Sequence, residues 1–192
     1  MNVFQPRVSN LDPNGPPKYS MQVLVPKDEK GKEFLKKLRA CYDAALKETF
    51  PKGAPQDVRE FMGDDRLKPC VRDGDAKVNE DGSPAGGAYA GHWYFNCSNK
   101  REPLIVHSRD RNTKVTDDSE FMSGDYGYVR LSVYGYNNRS KGVGFGLNAL
   151  MISRKGEPLG GGQEDAESAF GEIKHEDPVG FDDPIGDDDP LV

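Results

Sequence analysis

Residues 18–26 alternate in character: Tyr19, Met21, Val23 and Val25 fall on one side of an extended chain, Ser20, Gln22 and Leu24 on the other, and Pro26 closes the run. Successive side chains of a strand point to opposite faces, so the alternation predicts a strand with one buried face. The period then changes. Leu35, Leu38, Tyr42, Ala45, Leu46 and Thr49 recur at steps of three and four while Lys36, Lys37, Arg39, Lys47 and Glu48 fall between them, which predicts an amphipathic helix from about Glu29 to Phe50. Pro51 and Gly53 stop it. Residues 51–88, rich in Gly, Pro and Asp, read as loop with one helical turn around Gln56–Met62. Four runs bounded by polar turns follow, at 89–98, 103–107, 125–136 and 142–153, and each reads as a strand. Five strands and one long helix, without βα alternation, predict a mainly β chain: a small five-stranded barrel decorated by the helix.

Charge changes this picture more than composition does. The formal net charge of the 192 residues is −6, which taken whole disfavours a polyanionic partner. From Gln163 to Val192, however, eleven acidic residues stand against Lys174 alone, so this segment carries −10 and residues 1–162 carry +4. The triplet Gly160-Gly161-Gly162 separates the two as a flexible hinge. The expected organisation is a folded basic body, 1–162, and a disordered acidic tail, 163–192. No apolar run has the length of a membrane span, and Met1–Arg7 has no apolar leader core. Cys41, Cys70 and Cys97 are odd in number and far apart, which suits free thiols in a reducing cytoplasm.

The strand at 125–136 carries the most chemistry. Gly127, Val129, Leu131, Val133 and Gly135 form an aliphatic set that suits a core, while Tyr126, Tyr128, Arg130, Ser132, Tyr134 and Tyr136 form an aromatic, basic set. Four tyrosines around an arginine suit stacking of unpaired bases together with phosphate pairing, and Arg139 and Lys141 follow in the next turn. A solvated face where Tyr is favoured by strand propensity is the plainer alternative. In the run at 89–98, Trp93 and Phe95 share a face with Cys97 and read as core. His92 and Tyr94 read as the wet side, with Trp93 a secondary stacking candidate. Lys100, Arg101, Arg109, Arg111 and Lys114, in turns between strands, extend the same track for phosphate.

Other patterns are weaker. Gly142, Gly144 and Gly146 alternate along one strand but lack a phosphate-loop ending, so they are expected to bend a barrel strand or admit a close neighbour. Asp64, Asp65, Asp73 and Asp75 could hold Mg²⁺ in a nuclease, yet Asp-Gly steps are more often turns. Cys70, His92 and Cys97 lack zinc spacing, and neither His107 nor His175 has a triad partner nearby. No cofactor, metal or catalytic group is expected. The tail ends Asp187-Asp188-Asp189-Pro190-Leu191-Val192, an acidic run before an apolar tip that could enter a basic-rimmed pocket on a partner or fold back onto the body's own basic groove.

Several blocks in order resemble a known family: Pro17-Lys18-Tyr19-Ser20, Leu24-Val25-Pro26-Lys27 before the helix, Arg72-Asp73-Gly74-Asp75, Ser123-Gly124-Asp125-Tyr126, and Gly142-Val143-Gly144-Phe145-Gly146-Leu147-Asn148-Ala149-Leu150. Together they resemble the phage-encoded single-stranded DNA-binding proteins with an OB fold and an acidic C-terminal tail. The resemblance implies an OB-fold-like barrel and a non-catalytic, sequence-independent binder of single-stranded DNA, acting in phage replication or recombination in the host cytoplasm. It also implies that the tail competes with DNA and recruits replication or recombination proteins through Asp187, Asp188, Asp189, Leu191 and Val192. The phenylalanine often found at such tips is absent here. A Mg²⁺-dependent nuclease and a virion structural or adaptor protein remain as alternatives.

Overall fold

Strand β2 (Lys18–Pro26) lies where the alternation placed it, with Met21 and Val25 buried. It pairs antiparallel with β1 (Asn2–Arg7) on one side and with β4 (His92–Asn99) on the other. A short β3 (Val71–Asp73) on the far side of β4 completes a sheet in the order β1-β2-β4-β3. The second sheet has the order β5-β7-β6, built from β5 (Leu104–His107), β6 (Tyr126–Asn137) and β7 (Lys141–Arg154). There β5 runs parallel to β7, and β6 runs antiparallel to it. The computed structural model describes residues 2–10, 12–63, 69–79, 82–84, 87–138 and 140–159, all within one unit, Met1–Leu159. Asp64, Asp65, Arg139 and the acidic segment 163–192 lie outside the described residues.

The two sheets face each other across one core. The Phe95 ring of β4 meets the Phe145 ring of β7 edge-on at 5.2 Å, with Met21, Cys97, Ile105, Leu147, Leu150 and Ile152 around them. Helix α1 (Glu29–Thr49) adds Leu35, Leu38, Tyr42 and Ala45, the stripe that the three- and four-residue spacing marked. Its first turn is capped by Asp28, whose carboxylate accepts the Gly31 N–H at 2.7 Å. A Cβ at Gly31 would lie 1.9 Å from the Pro26 carbonyl oxygen, so the Pro26-Lys27 junction and the helix start can meet only at a glycine. Burial pushes the Tyr42 phenol up to about 12, and its hydroxyl donates to the Arg59 carbonyl at 2.5 Å.

The mainly β class with one long helix is as expected, while the strand inventory is larger. Seven strands among the described residues form two sheets that do not close into one continuous barrel. β1 and β3 were unmarked because Asn2–Arg7 contains Pro6 and β3 has three residues, too few for a period. The expected helical turn around Gln56–Met62 is a series of turns and bends instead. There Val58 and Phe61 are buried, and the carbonyls of Glu60 and Phe61 accept the N–H groups of Cys70 and Val71.

The approach to β6 is fixed by two residues. Gly124 has φ +110°, and a Cβ there would lie 1.8 Å from the Glu157 carbonyl oxygen. The Asp125 side chain, 2% exposed, accepts the N–H groups of Met122 and Gly156 at 2.9 and 3.0 Å and the Lys155 ammonium at 3.1 Å. Desolvation opposes its ionisation, but these hydrogen bonds outweigh it and hold the carboxyl below its ordinary value. A depressed carboxyl stabilises the fold above its unfolded pKa, and that contribution fades as pH falls through the lower folded value. Asp125→Ala should therefore cost about 2–3 kcal/mol in urea denaturation at pH 7, with the gap to the unsubstituted chain narrowing as pH falls below the ordinary aspartate range. An unchanged midpoint at pH 7 would show that this carboxylate does not hold the approach to β6.

Candidate nucleic-acid interface

The pairing of β6 with β7 decides what faces water. Val129 lies opposite Leu150, Leu131 opposite Leu147 and Val133 opposite Phe145, so the aliphatic set looks into the core. Tyr126, Tyr128, Arg130, Ser132, Tyr134 and Tyr136 then share the outer face. Tyr126 is 48%, Tyr128 66% and Tyr134 47% exposed, whereas Tyr136 is half-buried. The register shifts between Arg130 and Leu131, leaving Asn148 as an extra residue on β7. That bulge switches the parity of β7: the core residues are Val143, Phe145 and Leu147 before it, Leu150 and Ile152 after it. A second shift, at Ser153, brings Arg154 opposite Tyr126.

The alternating glycines gain a specific role from this register. Gly142 lies opposite Tyr136, Gly144 opposite Tyr134 and Gly146 opposite Ser132. A Cβ at Gly142 would lie 2.6 Å from the Tyr136 hydroxyl oxygen, one at Gly144 would lie 3.0 Å from Cζ of Tyr134, and one at Gly146 2.3 Å from Oγ of Ser132. The glycines thus form a bare track over which the neighbouring side chains lie. Of the two roles expected of these glycines, this register shows the admission of a close neighbour, and that neighbour is the face itself. Partial desolvation and the neighbouring Tyr136 raise the Tyr134 phenol above its ordinary value, so it is neutral at physiological pH. The Arg154 guanidinium lies 3.5 Å from the Tyr126 ring centroid and backs that ring with a cation.

Two rows cross the sheet beside the tyrosines. Leu104, Ala149 and Arg130 stand side by side on β5, β7 and β6, as do Val106, Met151 and Tyr128. Leu104 is 52% exposed, so the centre of this face is apolar with one arginine. Lys100 and Arg101 reach it through the turn after β4: Asn99 donates to the Leu147 carbonyl at 3.1 Å and to Oδ1 of the bulged Asn148 at 3.2 Å. Lys114 bridges to Val106 beyond β5, and its ammonium is 2.7 Å from Glu102. Arg109 and Arg111 are exposed in the same loop, and Lys141 begins β7 at the far end of the hairpin. Among the described residues Lys114 alone of these expected phosphate contacts is tied up by an acid, and Arg139 lies outside them.

Trp93 and Tyr94 do not join this face. Trp93 is half-buried on the side of Phe95 and packs against the core, with the Lys27 ammonium 5.7 Å from its ring. Tyr94 is on the outer side of β4, as expected, but it is 4% exposed, covered by Tyr89 edge-on at 5.2 Å and by Arg72. No ring face of Tyr94 is left for a base. Around it the sequence reading missed a second polar patch, in which the Lys77 ammonium lies 3.6 Å over the Tyr89 ring, Tyr89 donates to Gln22 at 2.5 Å, and Gln22 donates to Asn96 at 3.0 Å. Lys77 and Tyr89 are brought together by chain between β3 and β4 that carries no period. Asp73 and Asp75 do not form an open carboxylate pair, because Lys27 binds both at 2.5 and 2.6 Å. Desolvation opposes the Lys27 charge, yet those two carboxylates hold it above its ordinary value, and Lys27 in turn depresses Asp75.

Two open sheets around one core, with one long helix, define an OB-like class of architecture. The chain belongs to the family of the Enterobacter phage Enc34 ssDNA-binding protein, whose family model matches residues 1–179. It is 28% identical over 173 residues to putative protein p50 of Acyrthosiphon pisum secondary endosymbiont phage 1, covering 89% of this chain and 86% of that one. Its fold is similar to that of the bacteriophage Enc34 single-stranded DNA-binding protein in complex with ssDNA, at a TM-score of 0.63 and 18% identity over 83% of this chain and 82% of that one. A C-terminal truncation of the same protein gives 0.60 at 18% identity over 82% and 81%.

If the Tyr134 ring lies over Gly144, the two positions are energetically coupled. A double-mutant cycle of Gly144→Val and Tyr134→Ala, read by urea denaturation, should give a coupling energy of about 0.5–3 kcal/mol. Simple additivity would place the ring elsewhere.

Proposed function

We propose that this chain is a non-catalytic, sequence-independent single-stranded DNA-binding protein of phage replication or recombination, working in the host-cell cytoplasm. The observation that carries this reading is the outer face of β6, where three exposed tyrosines and Arg130 line one side of a single strand whose other side is core. Bases stack on Tyr126, Tyr128 and Tyr134, with Tyr136 offering one partly covered edge. Stacking suits every base, because each has a π-face, and it contributes about 1–3 kcal/mol per base. Arg130, Lys100, Arg101, Arg109, Arg111 and Lys141 meet phosphates from the middle and both ends of the face. Arg139 belongs to the same set by its place in the sequence between β6 and β7, and Lys114 joins only by exchanging Glu102 for phosphate.

With about four phosphates neutralised, log affinity should fall with log salt at a slope near −3. Tyr128→Ala and Tyr134→Ala should each weaken binding of an oligothymidylate by about 1–3 kcal/mol in a fluorescence-anisotropy titration at fixed salt, with the oligonucleotide left intact in the presence of Mg²⁺. Salt-insensitive binding, or unchanged affinity in both variants, would place the interface elsewhere, and a cut strand would make the protein a nuclease.

The body and tail division belongs to the same proposal. Eleven acids in residues 163–192 compete with DNA for the body's cations, and the tip Asp187, Asp188, Asp189, Leu191 and Val192 docks onto replication or recombination proteins. Removing residues 163–192 should tighten DNA binding most at low salt, and the gain should shrink as salt screens the tail. Equal affinity of the two forms at low salt would confine the tail to partners or solubility.

A further inference from the structure

β6 is the edge strand of its sheet. Its backbone pairs with β7 on one side, and among the described residues no strand or bridge pairs with the other. A twelve-residue edge is an open template for another strand. The core-facing residues along it are also incompletely covered: Val129, Leu131 and Val133 are half-buried, whereas Leu150, Leu147 and Phe145 opposite them are buried.

The sequence of this edge is nearly a palindrome. Tyr126-Gly127-Tyr128-Val129-Arg130-Leu131 is mirrored about Leu131 by Leu131-Ser132-Val133-Tyr134-Gly135-Tyr136, with Arg130 against Ser132 as the one departure. Within the protomer the two halves of this run have different neighbours. Tyr134 and Tyr136 face Gly144 and Gly142, whereas Tyr128 and Tyr126 face Met151 and Arg154. A two-fold axis would bring its halves together, because in an isologous antiparallel pair each residue meets the one at its mirror position, and here those are like residues.

We propose that the free edge of β6 pairs antiparallel with the β6 edge of a second copy of this chain, about a two-fold axis at Leu131. In that register Leu131 meets its own copy, Val129 meets Val133, Gly127 meets Gly135, Tyr128 meets Tyr134 and Tyr126 meets Tyr136. Aromatic and β-branched cross-strand pairs of this kind are the favourable ones. The single departure from the palindrome is the one that charge requires: Arg130 meets Ser132 of the second copy, so no arginine stands opposite an arginine. The half-exposed valines and leucine gain cover, and the two sheets become one of six strands. A consequence, which rests on the reading of the tyrosine face as the DNA site, is that both copies present their tyrosines on one continuous face, so a strand of DNA crosses from one to the other. The pairing itself does not depend on that reading.

The test begins with the full-length chain free of DNA. Sedimentation equilibrium should approach twice the 21.2 kDa of one chain as concentration rises. Register is then read by disulfide trapping in a Cys41→Ser background, which removes the exposed native thiol and leaves Cys70 and Cys97 buried. Directly opposed residues lie about 4.5–5.5 Å apart at Cα, within disulfide reach, whereas a displacement of four residues along a strand is about 13 Å. Leu131→Cys should therefore trap a homodimer. A mixture of Val129→Cys and Val133→Cys should trap the mixed dimer, while each alone should trap several-fold less. Should Leu131→Cys misfold, the valine mixture decides the register. A mass of one chain at every concentration, with and without an oligothymidylate, overturns the proposal, as does a dimer that traps Val129→Cys with itself as readily as with Val133→Cys. Because the mass is first measured without DNA, failure of the pairing and failure of the DNA reading are distinguishable.

Discussion

The surface of this protein is set by one register, that of β6 against a bulged β7. Twelve residues of β6 keep strict alternation, so every tyrosine is outward and every valine inward only while the whole strand stays in phase. A slip of one residue would exchange the two sets, exposing the aliphatic residues and burying Arg130 without a partner. β7 is longer by two residues than the strand it pairs with, and it absorbs the excess at Asn148 and Ser153. The bulge at Asn148 is itself tied down: Asn99 donates to its carboxamide oxygen at 3.2 Å and the Ser132 hydroxyl lies 3.4 Å from the same atom. One side-chain cluster therefore fixes the register, the turn that carries Lys100 and Arg101, and the middle of the outer face.

The two outer surfaces handle their rings differently, for a physical reason. On β6 the rings of Tyr134 and Tyr136 lie over backbone, because the residues across from them are glycines, and Tyr126, Tyr128 and Tyr134 stay exposed to solvent. On β4 the ring of Tyr94 lies under another ring and a guanidinium, and the hydroxyl of Tyr89 is spent on Gln22. The first arrangement holds aromatic surface in place while leaving it open. The second satisfies its aromatic surface internally and behaves as packing. Cations follow the same division. Lys27, beside Trp93, is neutralised by Asp73 and Asp75, whereas Arg130, amid the β6 tyrosines, has no acidic partner among the described residues.

Much of this could be read from the residues, and the rest failed for reasons that particular positions make plain. The period of three and four gave α1 to within a residue at its end, because Pro51 and Gly53 stop it. Alternation gave both faces of β6, because a strand with one side in the core and one in water is the case that a period of two describes. It could not separate Tyr94 from Tyr128. Both sit on an outer face, and only the long segment between α1 and β4, without a period of its own, brings Tyr89 over Tyr94. β3 was invisible because three residues cannot show a period. The glycines of β7 were legible as alternate but not as partners of Tyr134 and Tyr136, since cross-strand opposition depends on a bulge one step away at Asn148.

The openness of the barrel follows from the same construction. A closed barrel would require β6 to find a second strand on its far edge, whereas the helix packs on its inner side: a Cβ at Gly135 would lie 1.8 Å from the Thr49 Oγ1. The helix therefore stabilises the inner side of β6 without satisfying its edge. An edge left unpaired in water costs little, since solvent bonds the free N–H and C=O groups, but it leaves the chain able to pair wherever side chains agree. Natural edges are blunted by charge, and here a single charge, Arg130, stands one residue from the centre of a symmetric run. Placed at the centre it would repel its own copy; placed beside the centre it meets Ser132. That position separates a blunted edge from a self-complementary one.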